Sequence, residues 1–88
     1  MTWEVKYEEQ VAKNLKKLDS VPRKRIQKFI EERLIPSLNP KEIGEPLKGS
    51  LGEYWRWRVG DYRLIGEIHE KEIIIVIVKI GHRRNIYL

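Results

Sequence analysis

The amino-acid sequence predicts an α+β fold in which an N-terminal strand leads into a two-helix antiparallel hairpin packed on one face of a mainly antiparallel sheet. Three observations carry this reading: an alternating apolar start, two apolar stripes of helical period, and a C-terminal half of β-rich segments separated by short breaks. The chain has 88 residues, enough for one modest hydrophobic core, so residues 1–88 are read as one domain.

Trp3, Val5 and Tyr7 alternate with Thr2, Glu4 and Lys6, as in a short half-buried strand. The period then changes. From Glu8 to Leu18, the residues Val11, Ala12, Leu15 and Leu18 fall on one helix face. Asp19 and Ser20 offer N-cap side chains, and Pro22 sits in the first turn, where its missing N–H costs nothing. Ile26, Phe29, Ile30 and Leu34 trace the second stripe, on a helix expected from about Val21 to Ile35. Pro36 and Pro40 end it, because each disfavours the helical conformation in the residue before it. So short a connection folds the two helices against each other.

Residues 36–52 hold three prolines and three glycines and read as a surface connection, with a short extended piece around Pro46-Leu47-Lys48. Tyr54, Trp55, Trp57 and Val59 lie in an alternating segment, Gly60-Asp61 breaks it, and Tyr62-Arg63-Leu64-Ile65 resumes it as a hairpin. A break at Glu70-Lys71-Glu72 precedes Ile73 to Val78, a β-branched run suited to a central strand covered on both faces. The helices have only this sheet against which to bury their stripes.

Eighteen Lys and Arg against thirteen Asp and Glu leave a net charge of +5, which favours a polyanionic partner such as RNA, DNA or a ribosome. At 41% hydrophobic residues the chain is too apolar to be disordered. It has no cysteine, which excludes a disulfide framework, a thiolate zinc site and a cysteine nucleophile; two histidines make a poor metal site. No metal and no cofactor are expected. The start Met1-Thr2-Trp3-Glu4 lacks a basic-then-apolar leader, and no apolar run reaches the ~18 residues of a membrane span, so a cytoplasmic protein is expected.

Strand alternation places Trp55, Trp57 and Val59 on one face and Tyr54, Arg56 and Arg58 on the other. On the partner strand, Tyr62, Leu64 and Ile68 fit the buried side, which sets Arg63 beside Arg56 and Arg58. Three like charges on one sheet face repel, so something must offset them. One reading is a solvated face with Glu53, Asp61 and Glu67 as partners. The other is a phosphate-binding surface, where guanidinium forks grip non-bridging oxygens and stabilise a pentacovalent transition state.

The tail Gly81-His82-Arg83-Arg84-Asn85-Ile86-Tyr87 adds an imidazole, two guanidiniums, an amide and a phenol just past the central strand. Cleavage of RNA by its 2′-hydroxyl needs a proton acceptor, charge stabilisation at phosphorus and a proton donor for the 5′-oxygen. Arginine stays protonated, so the acid–base candidates here are His82 and Tyr87. Each also has a purely structural reading, as a surface or capping histidine and as a packing aromatic. His69, among Glu67, Glu70 and Lys71, reads as a solvated turn residue. The basic run Arg23, Lys24, Arg25 and Lys28 reads either as a solvated helix face or as a supplementary contact to RNA phosphates.

Leu47-Lys48-Gly49-Ser50, then Trp55 to Ile65 (WRWRVGDYRLI), then Gly81 to Tyr87 (GHRRNIY) resemble the RelE/ParE toxin superfamily over essentially the whole chain. The resemblance implies the RelE-like, microbial-RNase-like fold and a toxin of a type II toxin–antitoxin pair, neutralised by an acidic, partly disordered RelB-like protein antitoxin. RelE-like members cleave mRNA in the ribosomal A site, leaving a 2′,3′-cyclic phosphate. The resemblance carries catalytic roles onto Arg56, Arg63, Arg83 and Tyr87, with His82 as the candidate that moves a proton. Tyr54 stands where other members carry lysine. Lys48, Arg58 and Arg84 are expected, with Arg23, Lys24, Arg25 and Lys28, to contact RNA or the ribosome.

The sequence therefore predicts a ribosome-dependent endoribonuclease that inhibits translation, with the ribosome and mRNA as partners and no membrane. A ParE-like inhibitor of DNA gyrase without nuclease activity shares the fold and is the alternative; an inactive RNA-binding module is a third reading.

Overall fold

The computed structural model describes residues 2–47 and 54–86. Strand β1 (Glu4–Tyr7) precedes helices α1 (Glu9–Lys17) and α2 (Ser20–Phe29), and α2 runs on into a π turn, Ile30–Leu34. A short 3-10 turn (Pro40–Ile43) then leads to β2 (Glu45–Pro46), β3 (Tyr54–Val59), β4 (Tyr62–His69) and β5 (Ile74–His82). The five strands form one sheet in the order β1-β5-β4-β3-β2. Only β1 and β5 run parallel; the other pairs are antiparallel. The predicted α+β arrangement is the observed one.

The core lies between the helices and one face of the sheet. Val11 and Leu15 of α1, Ile26, Ile30 and Leu34 of α2 and its π turn, and Trp57, Leu64, Ile75 and Ile77 of the sheet form a single buried cluster. Burying each such side chain contributes about 1.5–3 kcal/mol. The π turn has a reason in the spacing of its stripe. Ile26, Ile30 and Leu34 recur every four residues, and at 100° per residue such a row drifts by about 40° per step around an α-helix. Wider winding reduces that drift, and the Ile35 N–H donates to the Ile30 carbonyl five residues back at 2.9 Å. All three side chains stay 2% exposed or less.

Four details refine the sequence reading. Asp19 occupies the N-cap of α2 but makes no side-chain capping bond. Residues 36–47 run over the surface as expected, but the stretch is pinned at Pro40, which is buried and whose carbonyl accepts the Trp57 indole N–H at 3.0 Å. The extended piece is Glu45–Pro46, paired with Arg56 and Trp55; the Lys48 end of the expected piece lies outside the described residues. The run Ile73 to Val78 is covered on one face only, with Ile75 and Ile77 buried and Ile74, Val76 and Val78 partly exposed.

Strand β5 also carries a bulge. Gly66 pairs with Ile77 but Ile65 pairs with Lys79, so Val78 is the extra residue. The alternation reverses there: Ile75, Ile77 and Ile80 face the helices, and Lys79 turns to the open face with Ile65. Beside the bulge, Gly66 leaves no room for a side chain, since a Cβ would lie 2.8 Å from the Val76 carbonyl and 3.1 Å from the Trp57 ring.

Candidate active site

The face of the sheet away from the helices is built by the β3–β4 hairpin. Gly60 has φ of +59° and Asp61 does not share it, the signature of a two-residue II′ turn with glycine at its first position. That turn sets the register Arg58↔Arg63 and Arg56↔Ile65, so Arg56, Arg58 and Arg63 share the open face as the alternation predicts. Ile65 lies among them, yet is only 2% exposed. Its cross-strand neighbours are Arg56 and Lys79, whose aliphatic stems can cover it.

The offset for the three guanidiniums comes from a residue the sequence reading missed. Glu45 on β2 stands opposite Arg56; its Oε2 accepts a hydrogen bond from Arg56 Nη2 at 2.9 Å, and its Oε1 forms an ion pair with Arg58 Nη2 at 3.0 Å. The Arg56 hydrogen bond, followed by the charge of Arg58, holds the Glu45 carboxyl below the usual carboxylate range. Of the partners expected from sequence, Asp61 makes only a loose pair with Arg83 (Oδ1 to Nε, 3.7 Å), and Glu53 lies outside the described residues. One signal did point to Glu45: a residue before proline is biased toward extended backbone.

Arg63 is anchored differently. One nitrogen, Nη1, donates to the Gly60 carbonyl at 2.9 Å and the Tyr62 carbonyl at 2.8 Å. Partial burial, then the like charges of Arg58, Arg56 and Arg83, lower its pKa below the ordinary arginine value, while Asp61 opposes the shift. Arginine remains protonated throughout the physiological range. The Arg83 N–H donates to the Asp61 carbonyl at 2.8 Å, which draws the start of the tail to the hairpin turn.

The tail then folds back. The Asn85 N–H donates to the His82 carbonyl, and the Ile86 side chain lies 3.4 Å from where a Cβ of Gly81 would stand. Gly81 pairs with Arg63, so Ile86 packs on the open-face side. Tyr87 and Lys48 lie outside the described residues. His82 is placed apart from the arginines: it pairs with Tyr62, on the helix side of the sheet, and its ring meets the Tyr62 ring edge-on at 5.7 Å. Its Nδ1 accepts from the Arg84 N–H at 3.3 Å, which in the neutral ring leaves the proton on Nε2.

The remaining cations separate into different settings. Arg23 reaches the Lys16 and Leu18 carbonyls at 3.5 Å, at the end of α1. Lys24 and Arg84 are exposed, and Arg25 and Lys28 line clefts beside β3. Among the described residues no cluster of three or more metal-ligating side chains occurs, and no helix is long and apolar enough to cross a membrane.

A helical hairpin on a five-stranded sheet, presenting a face of arginines, is built to meet a polyanion. The chain belongs to the RelE/ParE superfamily: the profile of the ParE toxin of the parDE type II system matches residues 5–87. The toxin RelG of Mycobacterium tuberculosis is 35% identical over 51 residues, 58% of this chain and 59% of that one, so the alignment spans under two thirds of the relative. The fold is similar to a chain of the RelBE2 toxin–antitoxin complex of M. tuberculosis, with a TM-score of 0.84 and 25% identity over 94% of this chain and 100% of that one. It is also similar to a chain of the archaeal RelE–RelB complex of Pyrococcus horikoshii, with a TM-score of 0.70 and 30% identity over 98% and 100%.

Proposed function

We infer that this toxin is an endoribonuclease that cleaves mRNA in the ribosomal A site, and so inhibits translation in the cytoplasm. The observation that carries the reading is the convergence of Arg56, Arg58 and Arg63 on one open face, with Arg83 held at the adjoining turn. Guanidinium forks there suit a phosphodiester whose charge rises as the 2′-oxygen attacks phosphorus. The 2′-hydroxyl loses its proton, the bond from phosphorus to the 5′-oxygen breaks, and the products are a 2′,3′-cyclic phosphate and a 5′-hydroxyl.

Arginines cannot take the first proton. Glu45, ionised and in contact with two of them, joins His82 and Tyr87 as an acceptor. His82, at the end of the sheet rather than on its face, can donate to the leaving oxygen only as imidazolium, with its Nδ1 released from the Arg84 N–H. An open face without a strong base is a slow catalyst on free RNA, and the ribosome would supply the in-line geometry that makes the attack efficient. The partner would be an acidic RelB-type antitoxin, as in the complexes of similar chains.

Mapping RNA ends on programmed ribosomes tests this, with Arg63→Ala and Arg83→Ala beside the wild type. A-site cuts that vanish in both variants support the nuclease. The match to the ParE profile favours a second reading, a gyrase inhibitor without nuclease activity. Intact message together with inhibited supercoiling would establish that reading instead.

A further inference from the structure

The arginine face does not stop at the edge of β3. Strand β2 pairs only with Trp55 and Arg56, so beyond them, among the described residues, the outer edge of β3 has no neighbouring strand. Two clefts of about 370 and 320 Å³ lie along this edge, between it and α2 with its π turn. They share Phe29, Arg33 and Arg58, so they form one continuous groove. Arg58 belongs to both surfaces: it is bonded to Glu45 and it lines both clefts.

The groove carries an excess of positive charge, with Arg25, Lys28, Arg33, Arg56 and Arg58 against Glu32, Glu42 and Glu45. Arg25, Lys28 and Arg33 stand along one helical wall, and none of them has a carboxylate within ion-pair distance among the described residues, although Glu32 lines the same wall. Arg25 lies across the hairpin turn, so close that a Cβ on Gly60 would stand 2.8 Å from its Nη1. From Arg25 to Arg33 the helical rise is about 12 Å, long enough for more than one phosphate. Phe29 is half-buried at the middle of the groove, with the Arg33 guanidinium 6.0 Å from its ring centre. Cations along a track with an aromatic ring among them are what a single-stranded nucleic acid uses, phosphates on the charges and a base on the ring.

We propose that the groove between α2 and the edge of β3 is a second RNA-binding track, in which Arg25, Lys28 and Arg33 hold backbone phosphates of the strand leaving the arginine face and Phe29 stacks a base. This rests on the nuclease reading and extends it, because it gives the RNA a path over the sheet edge at Arg58. An acidic peptide adding to the free β3 edge is the competing occupant. Continuity with the arginine face favours RNA, since one polyanion then meets both sets of cations.

The test is the salt dependence of binding to a fluorescein-labelled, fully 2′-O-methylated single-stranded RNA of about 12 nucleotides, which binds without being cut. The groove variant is Arg25→Gln/Lys28→Gln/Arg33→Gln, all exposed positions whose fold is checked by circular dichroism. Lys13→Gln/Lys16→Gln/Lys17→Gln on α1 removes the same charge elsewhere. Three lost phosphate contacts make the slope of log affinity against log salt shallower by about 2, which narrows the affinity loss between 50 and 200 mM salt roughly 15-fold. That change in the groove variant alone supports the track. Equal changes in both variants show net charge only and overturn it. An unchanged slope in the groove variant, with loss in Arg63→Gln/Arg83→Gln, confines the RNA to the arginine face; this overturns the track and leaves the nuclease standing. Retained RNA binding with weakened binding of an oligoglutamate peptide assigns the groove to an acidic protein. No RNA binding by the wild type overturns the track and counts against the nuclease reading as well.

Discussion

Replacing Trp57 by Phe tests the link between core and site. The indole N–H donates to the Pro40 carbonyl at 3.0 Å in a fully buried setting, and Trp57 itself has no exposed surface. Phenylalanine keeps an aromatic ring but removes the donor and leaves a buried carbonyl unpaired, at a cost of about 1–3 kcal/mol. The lost half of the ring leaves space that Gly44 and Gly66, both packed against the indole, do not fill, which adds a cost of about 1 kcal/mol. A total near 3 kcal/mol lowers the melting temperature of a domain this size by roughly 12–24 °C. Denaturant titration of Trp57→Phe, with Leu38→Ala as a control at an 84% exposed position, measures it. The site should respond too, because the pinned turn delivers Glu45 to Arg56 and Arg58. A loss below about 0.5 kcal/mol, the range of ordinary surface substitutions, would refute the claim that this bond anchors residues 40–45.

Three further outcomes follow from the geometry. Arg63→Ala removes a fixed guanidinium from the arginine face and should slow cleavage on programmed ribosomes by about 10²–10³-fold, the range for deleting one preorganised donor, while thermal stability changes little. Glu45→Gln should alter the pH profile. Because the folded pKa of Glu45 is lowered, its stabilising contribution is present above the unfolded value and is lost as pH falls through the folded one. The stability difference between wild type and variant should therefore be constant near neutrality and disappear only in acid below the usual carboxylate range. Gly66→Ala forces a methyl against the Val76 carbonyl and the Trp57 ring and should cost about 1–3 kcal/mol in a melting experiment.

The legible parts of the site are those fixed by short-range rules. A two-residue turn at Gly60-Asp61 determines the register on both sides, so the shared face of Arg56, Arg58 and Arg63 follows from alternation once the turn is identified. Strand β5 defeats the same rule. Its apolar run contains no residue that marks Val78 as a bulge, and unbroken alternation from Ile75 would put His82 on the open face. The bulge sends His82 to the helix side against Tyr62. Glu45 was hidden for another reason. It sits in a stretch whose prolines and glycines read as loop, and its two-residue strand follows a turn pinned by the bond from Trp57 to the Pro40 carbonyl, 17 positions apart in sequence. The π turn was likewise invisible, because an apolar row with a spacing of four is compatible with an α-helix until its neighbours demand alignment.

The two ways of holding arginine on this face imply different behaviour toward a phosphate. Arg63 is tied to main-chain carbonyls of the turn, which move only if the hairpin moves, so its charge is placed before substrate arrives. Arg56 and Arg58 are tied to a carboxylate, an anion that a phosphate resembles in charge and in its bidentate geometry. On the nuclease reading, a phosphodiester reaching this face would share or replace Glu45, and the displaced carboxylate would be free to accept a proton. Tighter binding of uncleavable RNA by Glu45→Gln, together with slower cleavage at saturation, is the pattern this exchange requires. Tighter binding with cleavage unchanged would reduce Glu45 to a counter-ion, and weaker binding would mean that it orients the two arginines instead of competing for them.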